Sequence, residues 1–258
     1  MDLERRREGS VEILTLNRPE QRNALSPELL EQLSTAFGEA KTDDDVRVII
    51  LTAAGDKAFC AGMDLKAFAA SQTSDAPPRD PAVMAAFTEF SHGEYPKPVI
   101  GAVNATAVAG GFELLMNCDI VVTADQAKFG IPEVKRGLFA AGGGFLLPAR
   151  IPLAVALELG LTGDFIDAER ALQLGLVNRV VPAADVLQTA LDLAARISEN
   201  GPLGVAVTKK LMRTTYARGI EAAYEVSAQE HDKVFKSEDA LEGATAFAQK
   251  RAPQWKGR

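Results

Sequence analysis

KPVIGAVNATAVAGGFELLMNCDIVVTA, residues 97–124, passes from one apolar segment through a turn and two glycines into a second, and then into a third. KPVIGAVNA (97–105) reads as a strand, the run that starts at Gly110-Gly111 as a helix, and CDIVVTA (118–124) as a further strand. Strand, helix, strand in that order favours an α/β sheet with crossover helices. Within the helix, Glu113 stands among Phe112, Leu114, Leu115 and Met116. Burying a carboxylate there is unfavourable unless it is paired or has chemistry to perform.

The flanking sequence repeats the alternation. VEILTLNRP (11–19) reads as a strand closed by Asn17 and Pro19. Ser26-Pro27-Glu28 supplies an N-cap and a proline suited to the first helical position. Leu29, Leu30, Leu33, Ala36 and Phe37 then recur at helical spacing. After Asp43-Asp44-Asp45, the unbroken apolar run VRVIILTA (46–53) predicts a buried strand. GDKAFCAGMDLKAFA (55–69) reads as a turn that delivers Gly62 and opens a helix, and the polar, proline-rich SQTSDAPPRDP (71–81) as a mobile loop. From Pro152 onward helical patterns dominate, including 153–163, 168–177 and the tail from Leu203, with no internal repeat or long linker.

A chain of 258 residues suits one large domain, or a core with a smaller appendage. Its formal charge of −7 argues against nucleic acid or an acidic membrane as the main partner, while leaving room for a local basic pocket. Cys60 and Cys118 are too few for a disulfide framework, and MDLERRREGS is too polar for a secretory signal. A reducing, cytoplasmic setting is therefore expected. No apolar run reaches the roughly 18 residues of a membrane helix. His92 and His231 lie far apart, with no Cys pair or HExxH motif nearby, so no metal site is expected.

Two loops share one logic: Ala61-Gly62-Met63 and Ala109-Gly110-Gly111 each bring a glycine to a helix start. Helix starts present unpaired N–H groups, and two of them aimed at one point can hold a carbonyl oxygen that gains charge. Ordinary loop glycines would look the same, so neither loop is diagnostic alone. FGIPEV (129–134) adds a second carboxylate, Glu133, among apolar neighbours. If Glu113 and Glu133 line one pocket, desolvation and mutual repulsion raise at least one pKa, leaving an acid and a base around a bound water. The alternative is that each pairs with a nearby cation, Lys135 or Arg136 in the second case. Cys60 and Cys118 read as packed core residues rather than nucleophiles. Met84, Phe87 and Phe90 fit either an acyl channel or packing, Trp255 a subunit contact, and His92 has no evident partner.

Longer blocks carry a resemblance. LNRPEQRNAL (16–25), IILTAAGDKAFCAGMDLK (49–66), KPVIGAVNATAVAGGFELLMNCDIVVTADQAKFGIPE (97–133), LTGDFIDAERALQLGLVNRVVP (161–182) and EDALEGATAFAQKR (238–251) resemble the enoyl-CoA hydratase/isomerase (crotonase) family over nearly the whole chain. The ending AFAQKRAPQWKGR is similar to carnitinyl-CoA dehydratases, a related branch. The resemblance implies an α/β spiral of ββα units over 1–200 holding an acyl-CoA site, with 201–258 a helical region that builds a homotrimer or homohexamer. It implies an oxyanion hole from the N–H groups of Met63 and Gly110, and CoA contacts at Ala24, Ala61, Asp64, Leu65 and Lys66. Arg22 or Lys66 would meet a CoA phosphate or remain a solvated charge.

Hydratases of the family carry both glutamates, whereas the isomerase pattern keeps the one matching Glu133. The implied reaction is addition of water to a trans-2-enoyl-CoA. Glu113 deprotonates the water and Glu133 delivers a proton to the α-carbon. CoA arrives with the substrate and no other cofactor is implied. An isomerase, a carnitinyl-CoA-type dehydratase, or a non-catalytic CoA- or RNA-binding relative are the alternatives. The chain departs from the family where three glycines are common, at Ala109-Gly110-Gly111, and again at Ala140 and Ala141, where proline and glycine are usual. The N–H of residue 141 is the family's third contact to the water. Alanine keeps that N–H, with Phe139 and Phe145 adding bulk nearby.

Overall fold

A computed structural model describes residues 1–71 and 81–258. The mobile loop expected over 71–81 therefore falls, at 72–80, outside the described residues. The chain opens with β1 (Leu3–Glu8) and β2 (Val11–Leu16), an antiparallel pair turned at Gly9. α1 (Pro27–Thr42) starts as its sequence dictates: the Ser26 side chain accepts from the Leu29 N–H at 3.2 Å, and Pro27 occupies the first turn. It buries Leu29, Leu33, Ala36, Phe37 and Ala40. β3 (Val48–Ala53) is buried along its whole length. α2 (Leu65–Ser71) and α3 (Ala85–Ser91) follow, then β4 (Val99–Val103), β5 (Ala107–Val108) and α4 (Gly110–Asn117). Next come β6 (Ile120–Ala124), β7 (Lys128–Gly130), α5 (Leu153–Thr162), β8 (Ile166–Asp167), α6 (Ala168–Gln173), β9 (Arg179–Val181) and α7 (Val186–Ser198). The chain closes on α8 (Pro202–Arg218), α9 (Ile220–Phe235) and α10 (Glu238–Gln249).

The larger sheet has the order β1-β2-β3-β4-β6-β9 and is parallel after the first pair. A smaller sheet, β5-β7-β8, is extended by a parallel bridge between Cys60 and Ala107. Successive turns of the chain each give one strand to each sheet: β3 and then Cys60, β4 and then β5, β6 and then β7. This is the spiral of ββα units. It stacks the ends of the short strands, and the loops that leave them, on one side of the molecule. Between α1 and α3, Phe37 stacks on Phe90 at 4.7 Å, and the Tyr95 hydroxyl donates to the Phe37 carbonyl at 2.8 Å.

The C-terminal helices are held differently. α8 has no fully buried side chain in 17 residues. Trp255 packs against its own chain: its indole N–H donates to the Glu199 carbonyl at 2.8 Å, and its ring faces Gly201 and Gly243.

Candidate active site

Residues 58–64 run between two partners. On one side, the Leu25 N–H donates to Gly62 O (2.8 Å) and the Asp64 N–H to Leu25 O (3.0 Å). In a bridge of this kind the intervening amide, that of Met63, points the other way. On that other side lies the start of α4. A Cβ built on Gly111 would sit 2.2 Å from Cys60 O, so only glycine admits this approach there, and one on Gly110 would sit 3.6 Å from the Met63 nitrogen, which shows how near the two loops come. The Met63 and Gly110 N–H groups have no acceptor among the described residues. Two such amides can hold one developing oxyanion. Ala109, which precedes the second donor, has φ 51° and ψ −132°, a conformation that favours glycine.

Glu113 follows in the first turn of α4 and is 7% exposed. Its Oε1 accepts the Gly144 N–H at 2.9 Å, and the Gly142 N–H faces the same carboxylate. Burial pushes its pKa above the ordinary value, and those two N–H groups oppose the shift. Glu133 lies in a 3₁₀ turn, Pro132–Arg136. Burial also raises its pKa, and the charge of Glu113 raises it further, against its own backbone N–H. Its Oε2 is buried without a hydrogen-bond partner among the described residues. The competing reading, a carboxylate held by its neighbouring cations, is not what the structure has. Lys135 pairs with Asp164 at 2.9 Å, and Arg136 donates to Lys135 O at 3.0 Å. Two carboxyl groups with raised pKa values, close enough to interact, can divide acid and base duties between them.

Met63, Gly110, Glu113, Glu133, Ala141, Ala61 and Leu65 line one cleft of about 1170 Å³. Ala24, Asp64 and Lys66 are not among its walls. The Ala24 carbonyl accepts from Arg18. Asp64 pairs with Arg18 at 3.0 Å and caps α2 by accepting the N–H groups of Lys66 and Ala67. The Ala67 N–H is the main cause of its lowered pKa. Lys66 and Arg22 are both exposed, and Arg22 lines the cleft together with Lys57, Lys128, Lys135 and Arg136. Phe87 and His92 also line the cleft, while Phe90 belongs to the core. Exposed Phe139 and Phe145 flank Ala141, and the Ala140 methyl sits so close to Gly144 that a Cβ there would lie 2.3 Å away. Burial pushes the thiols of Cys60 and Cys118 up to about 12, as suits packed residues.

Sequence reasoning missed what holds the other end of α4. Arg150 donates to Met116 O at 2.5 Å, and Arg213 donates to Asn117 O at 3.0 Å and Cys118 O at 3.3 Å. Asp119 pairs with Arg213 (2.8 Å) and Lys209 (2.7 Å). Cations there complement the partial negative charge of a helix C-terminus. They come from positions 34 to 96 residues away in sequence, so no local pattern announces them.

A family model for enoyl-CoA hydratase/isomerase matches residues 6–258. A carnitinyl-CoA dehydratase of Proteus mirabilis (strain HI4320) is 40% identical over 255 residues, 97% of this chain and 96% of its own. The crystal structure of enoyl-CoA hydratase from Mycobacterium tuberculosis H37Rv superposes with a TM-score of 0.88 at 42% identity, covering 100% of this chain and 99% of that one. The enoyl-CoA hydratase from Bacillus anthracis gives a TM-score of 0.88 at 33% identity, with 100% of both chains covered. These likenesses give the spiral its name, the crotonase fold.

Proposed function

The chain belongs to the enoyl-CoA hydratase/isomerase family, and from that premise we propose that it adds water across the double bond of a trans-2-enoyl-CoA, reversibly, as a carbon–oxygen lyase. The observation that carries this reading is the meeting of Glu113 and Glu133 in one cleft with the free amides of Met63 and Gly110. The thioester oxygen accepts from those two amides. Ionised Glu113 takes a proton from water as the water oxygen bonds to the β-carbon. The π electrons move toward the carbonyl, and the oxyanion hole stabilises the resulting enolate. Protonated Glu133 then gives its proton to the α-carbon as the C=O bond re-forms. Proton transfer by positioned side chains contributes roughly 10²–10⁴ in rate. Water, two side chains and the thioester account for every proton and electron pair, so CoA enters only as part of the substrate.

A second reading shares this geometry in the opposite direction. The likeness to a carnitinyl-CoA dehydratase favours loss of water from a substituted 3-hydroxyacyl-CoA. An isomerase needs only one of the two carboxylates, so the held position of Glu113 speaks for water chemistry. We further propose that the chain assembles as a homotrimer or homohexamer through residues 201–258 and works in the cytoplasm. The thinly buried α8 and the exposed Met212, Ile220, Tyr224, Phe235, Leu241 and Phe247 support the assembly. Among the described residues no helix is long and apolar enough to cross a membrane.

The test follows the loss of conjugated thioester absorbance with crotonyl-CoA, a long-chain 2-enoyl-CoA, and the enoyl-CoA that carnitinyl-CoA yields on losing water. Turnover that falls at least about 10²-fold in folded Glu113→Gln and Glu133→Gln supports the two-carboxylate mechanism. Turnover of the third substrate alone selects the dehydratase. Absence of turnover on all three, with CoA esters bound, refutes the hydration reading.

A further inference from the structure

Arg18, in the turn between β2 and α1, touches none of the cleft's walls directly, yet its contacts converge on the first oxyanion amide. Each of its three guanidinium nitrogens is engaged: Nε with Asp2 at 3.1 Å, Nη1 with Ala24 O at 2.5 Å, and Nη2 with Asp64 at 3.0 Å. The side chains of Arg18 and Asp64 are each only 15% exposed. These partners take three of the five guanidinium N–H donors, and the Asp64 carboxylate is already engaged by the scaffold. What the pair does follows from its place in the chain, because Asp64 is the residue after Met63.

The turn itself is built to hold that position. Arg22 and Asn23 both have φ near +53°, a left-handed conformation that asparagine tolerates and arginine rarely adopts. The Asn23 side chain anchors the turn: fully buried, it accepts the Arg18 N–H (2.8 Å) and donates to Ala54 O (2.9 Å) and Ala58 O (2.8 Å). The turn then bonds the 61–64 segment three times, through Ala61 N–H to Arg22 O, Leu25 N–H to Gly62 O and Asp64 N–H to Leu25 O. Those bonds take the Gly62 carbonyl and the Asp64 N–H, on either side of the Met63 amide, and leave that amide on the side of Gly110. The Arg18–Asp64 pair closes the end of this ladder, where the chain leaves it for α2.

We propose that Arg18, through Asp64, is a positioning residue that fixes the direction of the Met63 N–H and so completes the oxyanion hole. The inference rests on the reading of Met63 and Gly110 as the oxyanion donors. Misplacing a catalytic group by an ångström can lower a rate about 10²-fold. Loss of the pair should therefore lower kcat for crotonyl-CoA about 10- to 100-fold, with KM changed less than about threefold.

The test compares Arg18→Met, Arg18→Lys and Asp64→Asn with wild type, each checked for folding by circular dichroism. Besides turnover, it measures affinity for free CoA, which has no thioester carbonyl, and binding of acetoacetyl-CoA, whose enolate has its own absorbance. The expected result is a weaker enolate signal and weaker acetoacetyl-CoA binding in Arg18→Met and Asp64→Asn, with partial recovery in Arg18→Lys and free-CoA affinity nearly constant. Free-CoA affinity that falls in step with turnover makes the pair a CoA contact and overturns the inference, as does an unchanged enolate signal in the folded variants. Wild type that binds acetoacetyl-CoA as the enolate but hydrates no enoyl-CoA removes the proposed function and leaves this inference standing. Wild type that stabilises no enolate removes both.

Discussion

Gly142→Ala separates the chemistry of Glu113 from its burial. A Cβ at residue 142 would lie 2.4 Å from Glu113 Oε2 and 3.0 Å from its carboxyl carbon. Ordinary contact begins near 3.4 Å, so the oxygen must retreat by about 1 Å. That retreat rotates the carboxylate away from the Gly144 N–H, now 2.9 Å from Oε1. The backbone at 142 needs no left-handed conformation, so alanine brings no dihedral strain of its own. The carboxylate can swing into the cleft, which keeps the effect on stability below about 1 kcal/mol, the worth of one modest hydrogen bond. Catalysis has no such freedom, since a misplacement of this size lowers the rate about 10²-fold, or about 2.7 kcal/mol of barrier. Initial rates with crotonyl-CoA, beside urea unfolding of the same preparations, give both quantities. Gly143→Ala is the control with the inverse pattern. Its φ of +124° makes alanine strained, while no atom lies within 4 Å of the new Cβ. It should lose stability with no direct collision at the carboxylate. Activity of Gly142→Ala within about threefold of wild type would refute the reasoning, because the held carboxylate would then not be the base.

Both glutamates have folded pKa values above the ordinary 4.5, so the native state binds their protons more readily than the unfolded chain. Stability must fall as pH rises from about 4.5 through the folded values. Glu113→Gln and Glu133→Gln should therefore melt higher than wild type near pH 8, and no higher near pH 4, in thermal scans across that range. Asp119→Ala should lower the unfolding free energy by about 3–5 kcal/mol in urea, because it strands Lys209 and Arg213, which are only 11% and 25% exposed. Ala109→Gly releases about 1–3 kcal/mol of backbone strain against about 0.4–1 kcal/mol of added unfolded-state entropy. It should be neutral or stabilising by the same assay, whereas Ala109→Val should destabilise.

How far the sequence can be read depends on where each residue finds its partners. β3 is legible because all six of its residues are buried, and the helix after Ser26 because cap, proline and apolar spacing agree. β1 escapes notice. Its sequence LERRRE has one buried residue, and as an edge strand it is held by its register with β2 and by pairs such as Arg5 with Glu12 at 2.9 Å. β5, β7 and β8 are two or three residues long, too short to show any period. They exist because the larger sheet brings their neighbours beside them, which is tertiary information.

The site divides along the same line. Glu113 stands out because one carboxylate interrupts an apolar run, and Gly110-Gly111 because two glycines open a helix. Yet the conformation that makes Glu113 useful is written elsewhere, in Gly142 and Gly144, whose amides face its carboxylate across the cleft. Asp64 shows the opposite case. Its place beside Met63 invites a ligand role, but its carboxylate is engaged by Arg18 and by the start of α2. A charged residue next to a catalytic amide thus has two possible partners, the ligand or the scaffold, and only the distances in the fold decide between them. In this chain they give Asp64 to the scaffold and leave the buried Oε2 of Glu133 without a partner. Among the described residues Arg47 Nη1, Asn104 Oδ1 and Ser198 Oγ are buried and unpaired as well, so a missing partner does not mark the site alone; Glu133 stands out because it also lines the cleft with Glu113.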